Sequence, residues 1–313
     1  MEVPRKIKEK YPNAEIHWIT KSEFADVVRT NPYVDKVWPY NRNKGLRGLF
    51  FYIRVLRKEK YKLVYDLHNN LRSNILTLPL RLISRLFFIQ KKKHRFKRFL
   101  FFKLNKRHLF PQPYQAMQEY LKPLGKLGIN SSTSKQHSLK LTTPKRLEGL
   151  LPTINKSICL APGGAWPLKR WPVTYWQKLV RSFPETPLII LGGPADRFTK
   201  DIETVATGPS CLNLTGKLTW VETIWVISQS RGVISSDTGA LHISDFLGKT
   251  SLGLIGPTAF GHPSRASSHY LQADLPCRPC TKHGDTTCKN ETYKKCLFDL
   301  TPEMVKDKSN EIF

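Results

Sequence analysis

Acidic residues are scarce in this chain, in which 24 Asp and Glu stand against 51 Lys and Arg for a formal net charge of +27. Such an excess of cations predicts contact with anions such as phosphorylated lipid, nucleic acid or nucleotide, and it carries no information about the fold. The imbalance is local, because no acidic residue occurs between Asp66 and Glu119. Within that stretch, residues 90–107 interleave cations with phenylalanines.

Long apolar runs are also missing. No run reaches the 18 or more residues that a membrane-spanning helix needs, and the first twelve residues lack the apolar core of a secretory signal. A content of 40% hydrophobic and 11% aromatic residues excludes wholesale disorder. We therefore expect a cytoplasmic globular protein, whose 313 residues suffice for two domains.

Short apolar runs alternate with amphipathic segments along the chain. Residues 14–20 and 61–67 are typical of strands, whereas residues 75–88 and 114–128 are mainly helical in pattern. After a polar stretch at 130–156 the alternation becomes regular, with four strand-then-turn patterns and helical patterns between them, at 157–164, 173–183, 187–196, 197–206, 232–239, 240–248 and 250–258. This order predicts α/β domains with doubly wound parallel sheets, divided into residues 1–145 and 146–313.

Three turns of the second half follow predicted strands, at residues 162–172, 192–196 and 235–242. The carboxyl ends of parallel strands are where such sheets bind ligands. Taken singly, each turn is ordinary, since glycine after a strand is common turn chemistry and Asp237 suits a plain helix N-cap. Together they supply backbone N–H groups, a Lys-Arg pair, two carboxylates and a histidine, which is what a nucleotide diphosphate requires.

The stretches "PGGAWPLKRWP", "LGGPAD", "SSDTGALHISDFLG" and "GPTAFGHPS" closely resemble the ADP-heptose:lipopolysaccharide heptosyltransferases of glycosyltransferase family 9. In the first half, "IKEKYPNAEIHWITKSEFADVVRTNPYVDKVWPY" and "YDLHNNLRSNIL" resemble the amino-terminal domain of that family. The resemblance implies a GT-B fold, in which two Rossmann-like domains face a cleft. It also implies inverting, metal-independent transfer of heptose from ADP-heptose to the lipopolysaccharide inner core, with a lipid A–Kdo acceptor.

Site residues follow from the resemblance position by position. For the donor it implies the glycine turn, the lysine ahead of Trp-Pro, a ribose carboxylate and an Asp-Thr-Gly-x-x-His motif, namely Gly164, Ala165, Lys169, Asp196, Asp237, Thr238, Gly239 and His242. On the acceptor side it implies Arg72 and Ser73, to which we add Arg95 and Arg98 of the basic segment. No cofactor is expected, and we expect a monomer.

One departure concerns the start of the sequence. Family members open with a strand and a Gly-Asp turn whose Asp acts as general base, whereas Met1 lies about where the first family helix begins. We therefore expect the first strand of the amino-terminal domain to be missing, and we name no catalytic residue. If the chain is active, Asp66 is the first candidate base, because inverting transfer needs a base near the nucleophile. The alternative is a catalytically impaired relative that binds a nucleotide sugar.

The basic segment 90–107 leaves three interpretations open. Charge runs are most often a solvated helix face, while cations mixed with phenylalanines also suit a phosphorylated lipid acceptor at a membrane surface. We expect the latter, with the protein peripheral at the inner face of the inner membrane. Basic residues with aromatics could also bind nucleic acid, but the sequence resembles no nucleic-acid module and we expect no such partner.

Four of the six cysteines are clustered near the carboxyl terminus, with C-x2-C-x7-C-x7-C spacing. In a cytosolic protein such a cluster favours metal over disulfides, although a second C-x-x-C pair is lacking. We therefore expect a structural rather than catalytic cluster, with zinc as one candidate ligand of Cys277, Cys280, Cys288 and Cys296. Cys159 and Cys211 are predicted to be core residues.

Overall fold

The computed structural model describes residues 2–83, 86–104, 106–110, 112–130, 139–206 and 211–313. It contains two units, one formed by Met1–Arg98 and Met117–Ser134 and the other by Phe99–Ala116 and Lys135–Phe313. The division at 145/146 stays a prediction about domains, and residues 131–138 of the predicted linker lie outside the described residues. None of the described helices is both long and apolar enough to cross a membrane.

The amino-terminal part of the chain alternates short helices and strands. In chain order these are α1 (Glu2–Lys10), β1 (His17–Lys21), α2 (Ala25–Arg29), β2 (Lys36–Tyr40), α3 (Gly45–Lys58), β3 (Leu63–Asp66), α4 (Leu71–Ile83), β4 (Phe87–Gln90), α5 (Arg95–Lys103) and α6 (Ala116–Leu121). The predicted strands near 14–20 and 61–67 are confirmed as β1 and β3. The helix predicted over 75–88 is wrong at its end, because Phe87 and Phe88 begin a strand that pairs with β3.

In the first unit the strands form two separate parallel pairs, β1 with β2 and β3 with β4. Within the described residues no further strand joins these pairs. Helices α3 and α4 supply one apolar core of this unit, around Ile53, Leu56, Leu76 and Leu80.

The second unit continues the alternation with a longer sheet. Its elements are α7 (Leu151–Lys156), β5 (Ile158–Ala161), α8 (Val173–Arg181), β6 (Leu188–Ile190), α9 (Thr199–Glu203), β7 (Cys211–Asn213), α10 (Trp220–Gln229), β8 (Gly232–Ser236), α11 (Gly239–Leu247), β9 (Thr250–Leu254), β10 (Ser268–Leu271), α12 (Lys295–Phe298) and α13 (Pro302–Ile312). The four strand-then-turn patterns predicted here are confirmed as β5, β6, β8 and β9. Sequence reasoning missed β7, α10 and β10.

All six strands of the second unit run parallel in the order β10-β9-β8-β5-β6-β7. Every residue of β5, β6 and β8 is buried, as expected for a parallel sheet covered on both faces. The strand order reverses between β5 and β8, so that the chain leaves the two strands toward opposite sides. This switch point is where open α/β sheets bind ligands.

Residues 99–116 pack within the second unit although they lie early in the chain. Phe101, Phe110 and Tyr114 are buried together with Ala259, and Phe260 packs against this cluster. The rings of Tyr114 and Phe260 lie 4.5 Å apart in an edge-on arrangement, which aromatic pairs favour. The aromatic cluster therefore holds Phe101, Phe110 and Tyr114 against the loop that follows β9.

Candidate functional site

The turns after β5 and β8 meet at the switch point, because Ala161 of β5 lies beside Ser235 of β8 in the parallel register. A salt bridge joins them: Lys169 Nζ lies 2.8 Å from Asp237 Oδ2. The Asp237 side chain is only 5% exposed, whereas that of Lys169 is 16% exposed. Two residues far apart in the sequence thus form a shielded ion pair at the edge where ligands bind.

Asp237 also contacts Thr258 from the loop after β9 and His242 from its own motif. Thr258 Oγ1 donates to Asp237 Oδ2 at 2.6 Å, and His242 Nε2 lies 3.7 Å from Oδ1. Gly261 packs directly on the carboxylate, and a Cβ at that position would lie 2.3 Å from its atoms. Only glycine fits there without displacing Asp237.

The electrostatics of Asp237 follow from these contacts. Burial alone would raise its pKa, but the His242 ring, the Lys169 charge and the Lys169 and Thr258 hydrogen bonds outweigh burial and hold the pKa well below 3.8. Asp237 is therefore ionised at every physiological pH. A buried, permanently charged carboxylate fixes the position of the Lys169 ammonium group.

The remainder of the Asp-Thr-Gly-x-x-His motif starts α11. Thr238 Oγ1 accepts a hydrogen bond from the backbone N–H of Ala240 at 3.2 Å and lies 2.9 Å from Ser235 Oγ, which makes it the N-cap. His242, in the first turn, is exposed. The positive end of the α11 dipole and the Lys169 ammonium group therefore lie at the same sheet edge.

Asp196 lies in the turn after β6 and bonds to its own turn. Its Oδ2 accepts from the backbone N–H of Gly193 at 2.9 Å, and a Cβ on Gly163 would lie 2.6 Å from the same oxygen. Arg170 NH2 lies 3.6 Å from Asp196 Oδ1, and Arg170 Nε donates to Gly164 O at 3.0 Å. Arg170 was not among the predicted site residues. Its position next to Lys169 in the Lys-Arg pair was the feature of the sequence that could have identified it.

The structure thus brings Lys169, Asp237, Thr238, Gly239 and His242 together at one edge of the second sheet, and Arg170 links Asp196 to the Gly164 turn. The residues assigned to the acceptor lie in the first unit instead, namely Arg72, Ser73, Arg95 and Arg98. Arg72 and Arg95 are exposed.

Asp66, the candidate general base, lies buried at the end of β3. Its Oδ1 accepts from the backbone N–H groups of His68 and Asn69 at 2.8 and 2.9 Å. Its Oδ2 accepts from Ser73 Oγ at 2.8 Å and from Gln90 Nε2 at 3.0 Å. Each oxygen already has two donors, which uses the accepting capacity of a carboxylate. Asp66 and Ser73 therefore hold the loop that starts α4, and the geometry does not support Asp66 as a base.

The four clustered cysteines line one small cavity together with Arg278 and Lys294. All four are free thiols, and burial raises the pKa of Cys296 to about 12. Across the described ranges no group of three or more His, Cys, Asp or Glu side chains is gathered as metal ligands. Zinc binds thiolates and deprotonates the thiols that bind it, so the raised pKa does not decide the matter, and the structural zinc stays a prediction.

Comparison with known sequences supplies a family. The family model for glycosyltransferase family 9 (heptosyltransferase) matches residues 50–294, more than half of the chain. Lipooligosaccharide heptosyltransferase 2 of Haemophilus influenzae is 23% identical over an alignment covering 98% of this chain and 93% of the relative. The Campylobacter jejuni enzyme of the same name is 28% identical over 56% of this chain, and the match spans only 58% of that relative.

Solved structures resemble the fold across the chain. The E. coli ADP-heptose LPS heptosyltransferase II matches with a TM-score of 0.71 at 16% identity, covering 99% of this chain and 92% of that one. A family 9 glycosyltransferase from Veillonella parvula gives a TM-score of 0.74 at 18% identity, covering 99% and 91%. An E. coli heptosyltransferase solved with ADP gives 0.69 at 16% identity, covering 99% and 95%. The predicted GT-B fold with parallel Rossmann-like sheets is confirmed.

Proposed function

Since this chain belongs to glycosyltransferase family 9, we propose that it transfers heptose from ADP-heptose to the inner core of lipopolysaccharide by an inverting, metal-independent reaction. The observation that carries the proposal is the buried Lys169–Asp237 pair at the switch point of the second sheet. It fixes one cation at the edge where a family 9 donor would bind. The relatives named as lipooligosaccharide heptosyltransferases support the choice of sugar and acceptor.

In the proposed complex the donor diphosphate lies against Lys169 and the start of α11. The backbone N–H groups of Thr238 and Gly239, with those of Gly164 and Ala165 in the facing turn, donate to phosphate oxygens. Helix starts with exposed N–H groups favour such anions. His242 is exposed in the first turn of α11 and contacts the same ligand. Asp196 accepts a hydrogen bond from a ribose hydroxyl.

The reaction is a displacement at the anomeric carbon. The acceptor oxygen forms the new glycosidic bond, the bond from the anomeric carbon to the phosphate oxygen breaks, and ADP leaves with the electron pair. The acceptor proton passes to a base that we do not assign to a residue. Lys169 stabilises the charge that develops on the leaving diphosphate, and Asp237 holds that cation in place before the reaction starts.

The acceptor would be a phosphorylated, lipid-bearing saccharide, which favours a location at the cytoplasmic face of the inner membrane. The support is the charge of the first half, where residues 67–118 contain no acidic side chain. Arg72, Arg95 and Arg98 would bind acceptor phosphates through charge-assisted hydrogen bonds.

A second candidate function is nucleotide-sugar binding with little transfer. The geometry of Asp66 favours it, because both carboxylate oxygens are occupied by the loop before α4. Positioned proton transfer contributes about 10²–10⁴-fold to a rate, and a chain without a base loses that factor.

Calorimetric titration with ADP tests the donor site, and ADP release from ADP-heptose with a lipid A–Kdo acceptor tests transfer. We expect ADP binding that Lys169→Ala weakens about tenfold or more, while Lys178→Ala, an exposed lysine on α8, leaves it unchanged. Absence of ADP binding at millimolar nucleotide would overturn the donor site. Binding without transfer would favour the second candidate.

A further inference from the structure

Helix α3 of the first unit has one face that packs and one that does not. Leu49, Ile53 and Leu56 are buried along one side of the helix. Ile53 and Leu56 pack with Leu76 and Leu80 of α4. This inner face alone explains why the segment forms a stable helix on the unit, because an apolar stripe at helical spacing buries against a neighbour.

The outer face of α3 carries apolar side chains that are largely exposed. Leu46, Phe50 and Phe51 are 62%, 64% and 61% exposed. At 100° per residue, Phe51 projects almost directly away from the buried stripe, and Leu46 and Phe50 lie on one flank. Single exposed apolar residues are ordinary, but two adjacent phenylalanines and a leucine on one short helix form a patch of the kind that marks an interaction site.

Cations surround this patch. Arg47, Arg54 and Lys58 project on the same side as Phe51, and Arg57 lies on the flank of Phe50; all four are exposed. The helix contains no acidic residue, and none of the four cations takes part in an ion pair in the described part of the chain. The outer face of α3 therefore combines exposed apolar side chains with cations that have no acidic partner among the described residues.

We propose that the outer face of α3 lies in the surface of an anionic lipid bilayer. Cations flank Phe50 and Phe51 on this helix, and no acidic side chain accompanies them. At a membrane surface both find favourable surroundings, because the rings enter the headgroup–acyl boundary while the long basic side chains reach anionic headgroups. The inference rests on the proposed function in that a lipid-bearing acceptor requires a protein at the membrane.

Sedimentation of the full chain with phosphatidylcholine vesicles, with and without phosphatidylglycerol, tests the proposal. We expect binding only to the anionic vesicles, and slower hydrogen exchange in residues 45–58 when they are present. Phe50→Ser with Phe51→Ser should weaken binding about tenfold or more, since each ring loses its burial. Met304→Ser on α13, also an exposed apolar residue, should leave binding unchanged.

A charge variant separates insertion from adsorption. Arg47→Glu with Arg54→Glu should weaken binding to anionic vesicles by about fivefold or more per residue, whereas Arg181→Glu, an exposed arginine on α8, should have little effect. Loss in the charge variant without loss in the phenylalanine variant would overturn the proposal. Displacement of the protein from vesicles by an oligonucleotide, with equal loss of oligonucleotide binding in the phenylalanine variant, would assign the face to nucleic acid instead.

ADP titration of the same variants keeps the two proposals apart. All of them should bind ADP as the unaltered chain does, because α3 and the donor turns belong to different units. Hydrogen exchange in β1–β4 that matches the unaltered chain shows that the first unit folds in each variant. If the phenylalanine variant binds ADP and still binds vesicles as the unaltered chain does, only the inference about α3 is overturned. If the unaltered chain does not bind ADP but its vesicle binding depends on the phenylalanines, only the donor site is overturned.

Discussion

Two buried carboxylates, one in each unit, lie at the carboxyl end of a parallel strand and have opposite surroundings. Asp66 of the first unit accepts hydrogen bonds only from neutral groups, most of them within the loop that follows it. Asp237 of the second unit is bonded to Lys169 and Thr258 from two other segments, with His242 nearby. A carboxylate at a strand end thus orders its own loop when its donors are neutral groups nearby, and it fixes a charge when its partner is a cation from another turn.

The sheets around these carboxylates explain the difference. In the second unit six strands in register bring the turns after β5 and β8 to one edge. In the first unit the two strand pairs are not joined within the described residues, so the loop after β3 takes its partners from β4 and from the start of α4. A switch point requires neighbours on both sides of a strand, and among the described residues β3 has β4 alone beside it.

The largest expected effect comes from breaking the Lys169–Asp237 pair. Asp237→Asn leaves a shielded lysine without its counter-charge, and we expect the free energy of unfolding of the second unit to fall by about 3 kcal/mol. Asp201→Asn, at an exposed position of α9, should change it little. Urea unfolding followed by hydrogen exchange in each unit measures both, and an unchanged second unit would contradict the importance of the pair.

The same pair predicts a pH dependence. The folded pKa of Asp237 lies below its ordinary value of 3.8, so its ionised form stabilises the fold at all pH values above about 4. This contribution should be lost only as the pH falls through the lowered folded pKa. In Asp237→Asn, the acid-induced loss of stability of the second unit should be smaller. An identical acid profile in the two proteins would argue against the lowered pKa.

Replacing Asp66 tests the first unit in the same way. Asp66→Asn turns an amide N–H toward existing donors, and we expect the first unit to lose about 2 kcal/mol while ADP binding stays unchanged. Asp26→Asn, in an exposed pair with Arg29, is the matched control and should cost almost nothing. If transfer instead fell about 10²–10⁴-fold with stability intact, Asp66 would be the base and our interpretation of its loop wrong.

A smaller effect is expected from the basic segment 90–107. Neutralising Lys92 and Lys93 should weaken binding to anionic vesicles by about fivefold per charge at most, and raised salt should reduce the difference because exposed charges are screened. Lys91 is a poorer choice, since its ammonium lies 3.2 Å from the ring centre of Tyr120. Vesicle sedimentation with ADP titration in parallel measures the effect, and equal loss of both would show that the segment supports the fold.

The smallest effect concerns the thiols. Burial raises the pKa of both Cys159 and Cys296 to about 12, so we expect both to resist alkylation at pH 8, because the thiolate is the reactive form. The partly exposed Cys277 and Cys288 should react first, as measured by mass spectrometry of labelled peptides. Protection of all four clustered cysteines by added zinc would confirm the prediction of a structural metal, and an unaltered order would contradict it.

Local pattern made much of the fold predictable. Apolar runs closed by glycine identified β5, β6, β8 and β9, because a strand buried on both faces must be apolar throughout. Two strands were missed because they are not apolar throughout: β7 is Cys-Leu-Asn and β10 is Ser-His-Tyr-Leu. Phe87 and Phe88 were assigned to a helix since an apolar run is compatible with either structure until its pairing partner is known.

By itself the sequence determined the order of strands and helices, the excess of cations and the identity of the motif residues, since these depend on neighbours in the chain. Only the tertiary structure decided that Lys169 pairs with Asp237, that Arg170 reaches Asp196 and that Asp66 is saturated by its own loop. It also decided which face of α3 is covered. The physical reason is that ion pairing and burial depend on which turns and faces the sheet order brings together, and no local pattern contains that order.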